Sequence, residues 1–234
     1  MAAVVDRIVE DTTRRKQGEF FTPAIWVDKA HEYIASVYGE NWKEEYVVWD
    51  PAWGTGNLTR DYQFKELYVS TLNQSDIDTA NQMGYNPEAV KFQYDFLNDD
   101  YTKLPEGLRK AIEEGRKIIV LMNPPYGRAN EGGRTSTIQV GSANTVVSEK
   151  MKVDKIGPCT AQLYAQFVYR IIDLNIYNIC MFSTTKILTG TTFNSLRSKM
   201  EKESEFKGGF IINASEFADV KDWALSFSMF GIKK

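Results

Sequence analysis

Residues 123–127 read Asn-Pro-Pro-Tyr-Gly and directly follow the apolar run Lys117-Ile118-Ile119-Val120-Leu121-Met122. A short run rich in β-branched residues reads as a buried strand. Two prolines, Pro124 and Pro125, then stop it, because proline lacks a ladder donor and fixes φ. The expected product is a stiff, donor-poor turn at the carboxyl end of a strand, the edge where α/β proteins place their ligands. The Pro124 carbonyl and the Asn123 side-chain oxygen can both accept, and Tyr126 adds an aromatic face. Two acceptors aimed at one point suit an –NH2 group on a planar conjugated system. As an isolated tetrapeptide, the same residues would serve equally well as a proline turn capping a strand.

Two further segments bear on the choice. Residues 46–58 form an apolar strand ending at Asp50, then a Gly-x-Gly turn at Gly54 and Gly56. Glycines there permit a tight turn and close approach to a ligand. Thr59 stands where the third glycine of a dinucleotide fingerprint would fall, and the turn has little cationic character, so a nucleoside without phosphates is favoured over a pyrophosphate. A second strand, Leu67 to Leu72, precedes Asp76-Ile77-Asp78, where an acid suits ribose hydroxyls. Lys91-Phe92-Gln93-Tyr94 leads into Asp95-Phe96, an acceptor for an amino group beside a ring that can pack on a base. Each acid alone reads as a solvated loop carboxylate; their order carries the cofactor reading.

The third segment is Gln17-Gly18-Glu19-Phe20-Phe21-Thr22-Pro23. Thr22 is expected as an N-cap with Pro23 at the first helical position. The helix that follows carries an apolar stripe of Ile25, Val27, Ala30, Tyr33, Ile34 and Val37. Its threonine-bearing N-terminus can hold a carboxylate.

Together these segments resemble the S-adenosylmethionine-dependent amino-methyltransferases, specifically the DNA adenine-N6 methyltransferases with the gamma order of motifs. Gly18 to Pro23 is similar to their methionine-binding motif, Asp50 to Asn57 to their glycine turn, and Asn123 to Tyr126 to their catalytic tetrapeptide. The resemblance implies a Rossmann-like α/β fold: a mostly parallel seven-stranded sheet, helices on both faces, and an antiparallel last strand. It implies S-adenosylmethionine held by Phe21, Thr22, Asp50, Pro51, Ala52, Gly54, Gly56, Asp76, Ile77, Asp95, Phe96 and Asn123. Thr22 would meet the methionine carboxylate, Asp76 the ribose (with Asp78 as rival), and Asp95 with Phe96 the adenine. Asn123 and Pro124 would accept from the target amine of a flipped adenine. Tyr126 would stack on one face of that base and Phe217 on the other, with Phe210 as second choice. Trp53, where the family has a smaller residue, is expected to wall the cofactor pocket or pack beneath it. DNA is the expected partner, together with a separate target-recognition or restriction subunit, since the chain stops after the last core strand without a target-recognition domain. Glutamine-N5 or RNA-base amino-methylation and a noncatalytic cofactor-binding subunit are the alternatives. The Phe-Thr-Pro motif speaks against glutamine, and the intact tetrapeptide against a noncatalytic role. Serine more often opens the tetrapeptide of cytosine-N4 enzymes.

The chain has 234 residues, 43% of them hydrophobic, which suits one large α/β domain over 1–234. No apolar run suits a membrane span or a signal peptide. Cys159 and Cys180 lie in apolar contexts and read as free thiols of a reducing cytoplasm. One histidine and two separated cysteines leave no expected metal site. The net charge of −3 and a pI near 5.4 run against a basic DNA-binding domain. Local basic character is confined to Arg14-Arg15-Lys16 and to residues 127–158, with Arg128, Arg134, Lys150, Lys152 and Lys155. That stretch reads as a long polar loop without periodicity, expected to close over the site as a lid. Helices are expected over Lys103–Gly115, Cys159–Leu174 and, exposed, Thr192–Glu203. Strands are expected over Ile176–Ser183, Phe206–Asn213 and Trp223–Lys233.

Overall fold

The computed structural model describes residues 22–127, 144–213, 215 and 224–233. Seven strands form one sheet: β1 Val47–Asp50, β2 Leu67–Thr71, β3 Val90–Gln93, β4 Ile118–Met122, β5 Asn178–Thr184, β6 Ser204–Asn213 and β7 Ala224–Ile232, in the order β3-β2-β1-β4-β5-β7-β6. The first five are parallel, and β7 inserts antiparallel between β5 and β6. This is the expected sheet, antiparallel last strand included.

The run Ile118–Met122 is apolar throughout because both faces of β4 are covered. Ile118, Val120 and Met122 join one core, while Ile119 and Leu121 join the other, as the period of two demands. Helices α1 Ala24–Tyr38, α2 Trp42–Glu45 and α3 Gln74–Gln82 cover the second face through Val27, Ala30, Ile34, Trp42 and Ala80. Helices α4 Glu106–Glu113, α5 Val146–Val153 and α6 Leu163–Asp173 cover the first.

Several expectations need correction. Helix α1 starts at Ala24, so Pro23 is its N-cap residue and supplies the carbonyl that accepts from Trp26 and Val27; the Thr22 side chain does not cap it. Ile25 of the expected stripe faces solvent, and His31 takes its place in the core. The stretch expected as an unstructured loop over 127–158 contains α5, with Val147 and Met151 buried one turn apart. Each such side chain is worth about 1.5–3 kcal/mol of burial. Thr145 caps α5: its hydroxyl accepts from the Ser148 N–H, while the Ser148 hydroxyl accepts from the Thr145 N–H. Residues 128–143 of that stretch lie outside the described residues. Cys159–Leu174 is not one helix, because a 3-10 turn, Pro158–Ala161, precedes α6. Thr192–Glu203 reduces to the end of a 3-10 turn, Thr191–Phe193, and one short helix, α8 Asn194–Met200; another short helix, α7 Lys186–Thr189, precedes that segment. Phe193, Leu196 and Met200 are buried there, so this segment is not an exposed helix.

Arg170 of α6 joins the helix to the turn after β3. Its guanidinium donates to the Phe96 carbonyl, to the Tyr94 hydroxyl and to the Asp99 carbonyl, the last two at 2.6 Å. It also lies 5.3 and 5.2 Å from the Tyr94 and Phe96 ring centres. A planar fork suits this set, and an ammonium does not. Arg170→Ala is expected to lower stability by about 2–3 kcal/mol in urea denaturation, because carbonyls lose charged donors. Arg170→Lys should recover little of that loss.

Candidate active site

Parallel pairing of β1 with β4, Val47 opposite Ile118 through Trp49 opposite Val120, brings Asp50 and Asn123 to one edge of the sheet. Asp50 is 1% exposed. One carboxylate oxygen accepts from the Ala52 N–H at 3.0 Å. The other is buried with no partner among the described residues. Burial outweighs the single hydrogen bond and pushes this carboxyl up to about 8. A cationic donor would relieve it.

Beyond β1 the chain turns through Pro51 and Ala52 to Gly54 (φ 52°) and Gly56 (φ 79°), a conformation that favours glycine. No heavy atom lies within 4 Å of where a Gly54 Cβ would stand, whereas at Gly56 a Cβ would sit 3.0 Å from the Trp53 ring. Trp53 therefore packs beneath the turn, with its indole N–H donating to Thr59 Oγ1 at 2.8 Å. Both residues are buried. Trp53, the departure from the resembled pattern, and Thr59, which stands in place of a dinucleotide fingerprint's third glycine, are thus one hydrogen-bonded pair.

At the end of β4 the Asn123 amide donates from Nδ2 to Thr22 Oγ1 at 2.9 Å, and Asn123 Oδ1 accepts from the Tyr126 hydroxyl. The Pro124 carbonyl has no donor among the described residues. Pro124 is buried and Pro125 half-buried. Tyr126 meets Tyr164 of α6 edge-on, ring centres 6.3 Å apart, and burial pushes its phenol up. The Gly127 carbonyl accepts from the Leu163 N–H at 3.1 Å, which ties the turn to the start of α6. Thr22 is 3% exposed, and its own hydroxyl proton meets no acceptor among the described residues. The site thus presents an unpartnered carboxylate oxygen on β1 and an unpartnered hydroxyl donor beside β4. These are complementary to the ammonium and carboxylate of a zwitterionic amino acid. The methionine portion of S-adenosylmethionine has that pair of groups, so the residues present fit the cofactor.

The remaining expected residues fall around the same edge. Asp76 lies in the first turn of α3, buried, and accepts from the Thr71 hydroxyl at 2.9 Å. Its rival Asp78 faces solvent and accepts from Gln74. Ile77 is buried. Asp95 organises its own turn: Oδ1 accepts from the N–H groups of Leu97 and Asn98, and Oδ2 from the Asn98 amide. Phe96 is a core residue, stacked on Phe167 at 4.6 Å and edge-on to Trp49 at 5.4 Å. Phe210 packs among Trp26, Tyr33, Phe182 and Phe227. Phe21 and Phe217 lie outside the described residues. His31 is a neutral core residue: its Nε2–H donates to the Leu58 carbonyl at 2.9 Å, and burial lowers its pKa to about 4.

Sequence reasoning missed Gln166, which is fully buried. It accepts from the Thr145 hydroxyl and donates to the Thr160 carbonyl, at 2.6 and 2.8 Å, and so joins α5 to α6. Its place in an otherwise apolar run was the available signal. Lys150 and Lys152 are paired with Asp173 and Glu149. Cys159 and Cys180 are free and buried. No cluster of three or more metal-ligating side chains occurs among the described residues, nor does any helix there have the length and apolarity to cross a membrane.

No family model and no curated protein matches the chain. Solved structures match its fold. A proposed RNA methyltransferase, PH1948 from Pyrococcus horikoshii, superposes with a TM-score of 0.56 at 13% identity, over 94% of this chain and 89% of that one. A proposed class I S-adenosylmethionine-dependent methyltransferase from Listeria monocytogenes gives 0.62 at 10% identity, over 93% and 62%. The type I restriction-modification system methyltransferase subunit from Streptococcus thermophilus gives 0.61 at 16% identity, over 92% and 45%. The chain has the class I Rossmann-like methyltransferase fold, and it spans less than two thirds of the length of the last two.

Asp50 gives a test of the geometry that needs no ligand. The folded protein keeps a proton on this carboxyl up to about pH 8, whereas the unfolded chain releases it near about pH 4. The folded state therefore binds more protons across that window, and its stability falls as pH rises through it. Asp50→Asn should remove this component. The stability gained by the variant over wild type in urea denaturation should be larger at about pH 8 than at about pH 5. A pH-independent difference would mean that Asp50 is already ionised in the fold.

Proposed function

We propose that the protein transfers a methyl group from S-adenosylmethionine to the N6 amino group of adenine in DNA. The observation that carries this reading is the acceptor pair after β4. The Pro124 carbonyl has no donor among the described residues, and Asn123 Oδ1 engages the hydroxyl of Tyr126. Both stand at the same sheet edge as the unpartnered oxygen of Asp50. A restriction-modification methyltransferase subunit is among the structures that share the fold, which fits a DNA substrate, and a proposed RNA methyltransferase shares it too.

S-adenosylmethionine supplies an activated methyl group when bound. Asp50 and Thr22 would hold the two charged ends of its methionine part, Gly54 and Gly56 would let the backbone approach it, and Asp76 and the 95–98 turn would face its nucleoside. Asn123 and Pro124 accept from the target –NH2, which localises the nitrogen lone pair toward the incoming carbon. No strong base is required, because the nitrogen becomes acidic once methylated and its proton can leave afterwards. Positioning and fixed dipoles then carry most of the rate. A duplex adenine must first leave the stack, at roughly a few kcal/mol. Stacking on Tyr126 offsets about 1–3 kcal/mol of that.

Lys150 and Lys152 are engaged in ion pairs, and the chain carries a net charge of −3. DNA affinity and sequence choice are accordingly assigned to a separate target-recognition partner, as in a restriction-modification assembly.

The test is transfer of labelled methyl to unmethylated bacterial DNA, with nucleoside analysis. N6-methyladenine is expected, falling by about 10²–10³ in Asn123→Ala, a loss typical of a transition-state hydrogen-bond partner. S-adenosylmethionine affinity, measured by calorimetry, should stay within a few-fold. Label in protein or RNA instead of DNA would move the substrate assignment to that polymer, and full activity of Asn123→Ala would remove the acceptor role.

A further inference from the structure

The N–H groups that open an α-helix have no partner within it. In α5 they are met by two different parts of the chain. Thr145 and Ser148 meet each other's N–H through their hydroxyls. The other two go to the turn after β3: the Val146 N–H donates to Asn98 Oδ1 at 3.1 Å, and the Val147 N–H to the Leu97 carbonyl at 3.2 Å. Helix α5 therefore stands on the turn whose carboxylate, Asp95, is read as facing the adenine of the cofactor.

Asn98 joins helix and carboxylate. Its Nδ2 donates to Asp95 Oδ2 at 2.8 Å while its Oδ1 accepts from Val146. The amide has a single orientation here, because a peptide N–H can only donate and a carboxylate can only accept. Asp95 Oδ1 is occupied by the N–H groups of Leu97 and Asn98, at 3.0 and 3.2 Å. Oδ2 takes a single donor among the described residues, Asn98 Nδ2, and a carboxylate oxygen has room for about two. The second place on Oδ2 is the one an exocyclic amine can take, and Asn98 fixes where it points.

We propose that Asn98 is a positioning residue for cofactor recognition, tying the orientation of Asp95 to the seat of α5. The inference rests on the reading that the 95–98 turn meets the adenine, and adds what holds that turn in place. The backbone N–H of Val146, on a helix with no residue expected at the cofactor, thereby becomes part of adenine recognition. The coupling runs both ways. An adenine amine on Oδ2 favours the arrangement in which Asn98 reaches Val146, and loss of the Val146 donor loosens Asp95.

Val146 permits a test at the far end of this connection. Its side chain is 64% exposed, so it contributes little to packing. It is the first residue of α5, a position that proline favours, and the extended Thr145 before it (φ −89°, ψ 158°) is compatible with a following proline. Val146→Pro removes the N–H and puts a ring carbon in its place; Val146→Ala keeps the N–H. Asn98→Ala removes the amide itself. The probes are S-adenosylhomocysteine and S-inosylhomocysteine, whose ring carries a carbonyl oxygen in place of the amine, with affinities measured by calorimetry. Wild type and Val146→Ala should prefer the adenine form by about 10- to 100-fold, the scale of a hydrogen bond to a charged acceptor. Val146→Pro and Asn98→Ala should each lower that preference by about 5-fold or more, and the double variant should lower it no further, since both break one connection. Additive losses would overturn the proposal, as would a weakening shared equally by both probes, which is what a merely structural role produces. Wild type that binds both probes alike would remove Asp95 from adenine recognition and the proposal with it. A wild-type preference that survives Val146→Pro would remove the proposal alone.

Discussion

The side-by-side pairing of β1 and β4 is the constraint on which the site depends. Parallel strands in adjacent positions end at the same edge, and here they end in an aspartate and an asparagine. The register is fixed from both sides of the sheet, because β4 sends Ile118, Val120 and Met122 into one core and Ile119 and Leu121 into the other. A slip by one residue would exchange the two sets. The carboxylate that needs a cation and the amide that offers an acceptor are thus held in relation by apolar packing well below them. Hydrogen bonds at the edge refine that relation. Thr22 and Tyr126 hold the amide of Asn123, and Ala52 holds one oxygen of Asp50.

The polar groups at this edge differ in how well the protein satisfies them. The Asp95 carboxylate is surrounded by donors from its own turn, and that turn is clamped to α6 by Arg170. Asp50 is the opposite case, with one buried oxygen left over. A fully satisfied group organises backbone; a partly satisfied buried group carries a standing cost that a ligand can remove. The distribution of satisfied and unsatisfied atoms therefore separates scaffold from site among residues of the same chemical type. The same contrast distinguishes the exposed Asp78, hydrogen-bonded to Gln74 on its own helix, from the buried Asp76.

Much of the fold was legible in the chain. The apolar runs ending at Asp50 and Met122 could only be buried strands, and the prolines after Asn123 marked where the second one stops. The order of motifs carried the sheet arrangement and the edge where ligands sit. Helix α5 was not legible, because it buries just Val147, Ser148 and Met151. Its capping box uses serine at the third position where the recognisable signal is Glu or Gln. The Thr22–Asn123 hydrogen bond was hidden for another reason. Thr22 had a sufficient local explanation as a helix cap, and nothing in a sequence connects it to a residue 101 positions away. Phe96 and Phe210 look in sequence like rings free to meet a base; packing places Phe96 in the interior and leaves Phe210 half-buried among other aromatic rings.

The floor of the glycine turn has an evolutionary consequence. Trp53 fills the space directly under Gly56, and its indole N–H is satisfied by the Thr59 hydroxyl. Glycine at 59 alone would strand a buried donor, and a small residue at 53 alone would open a void beneath the turn. Neither residue can therefore change alone in a single neutral step. In a lineage of related chains the two should be inherited as a unit, tryptophan at 53 with a hydroxyl-bearing partner at 59. The identity of residue 59 would then identify the branch to which a sequence belongs before any residue of the catalytic turn is read.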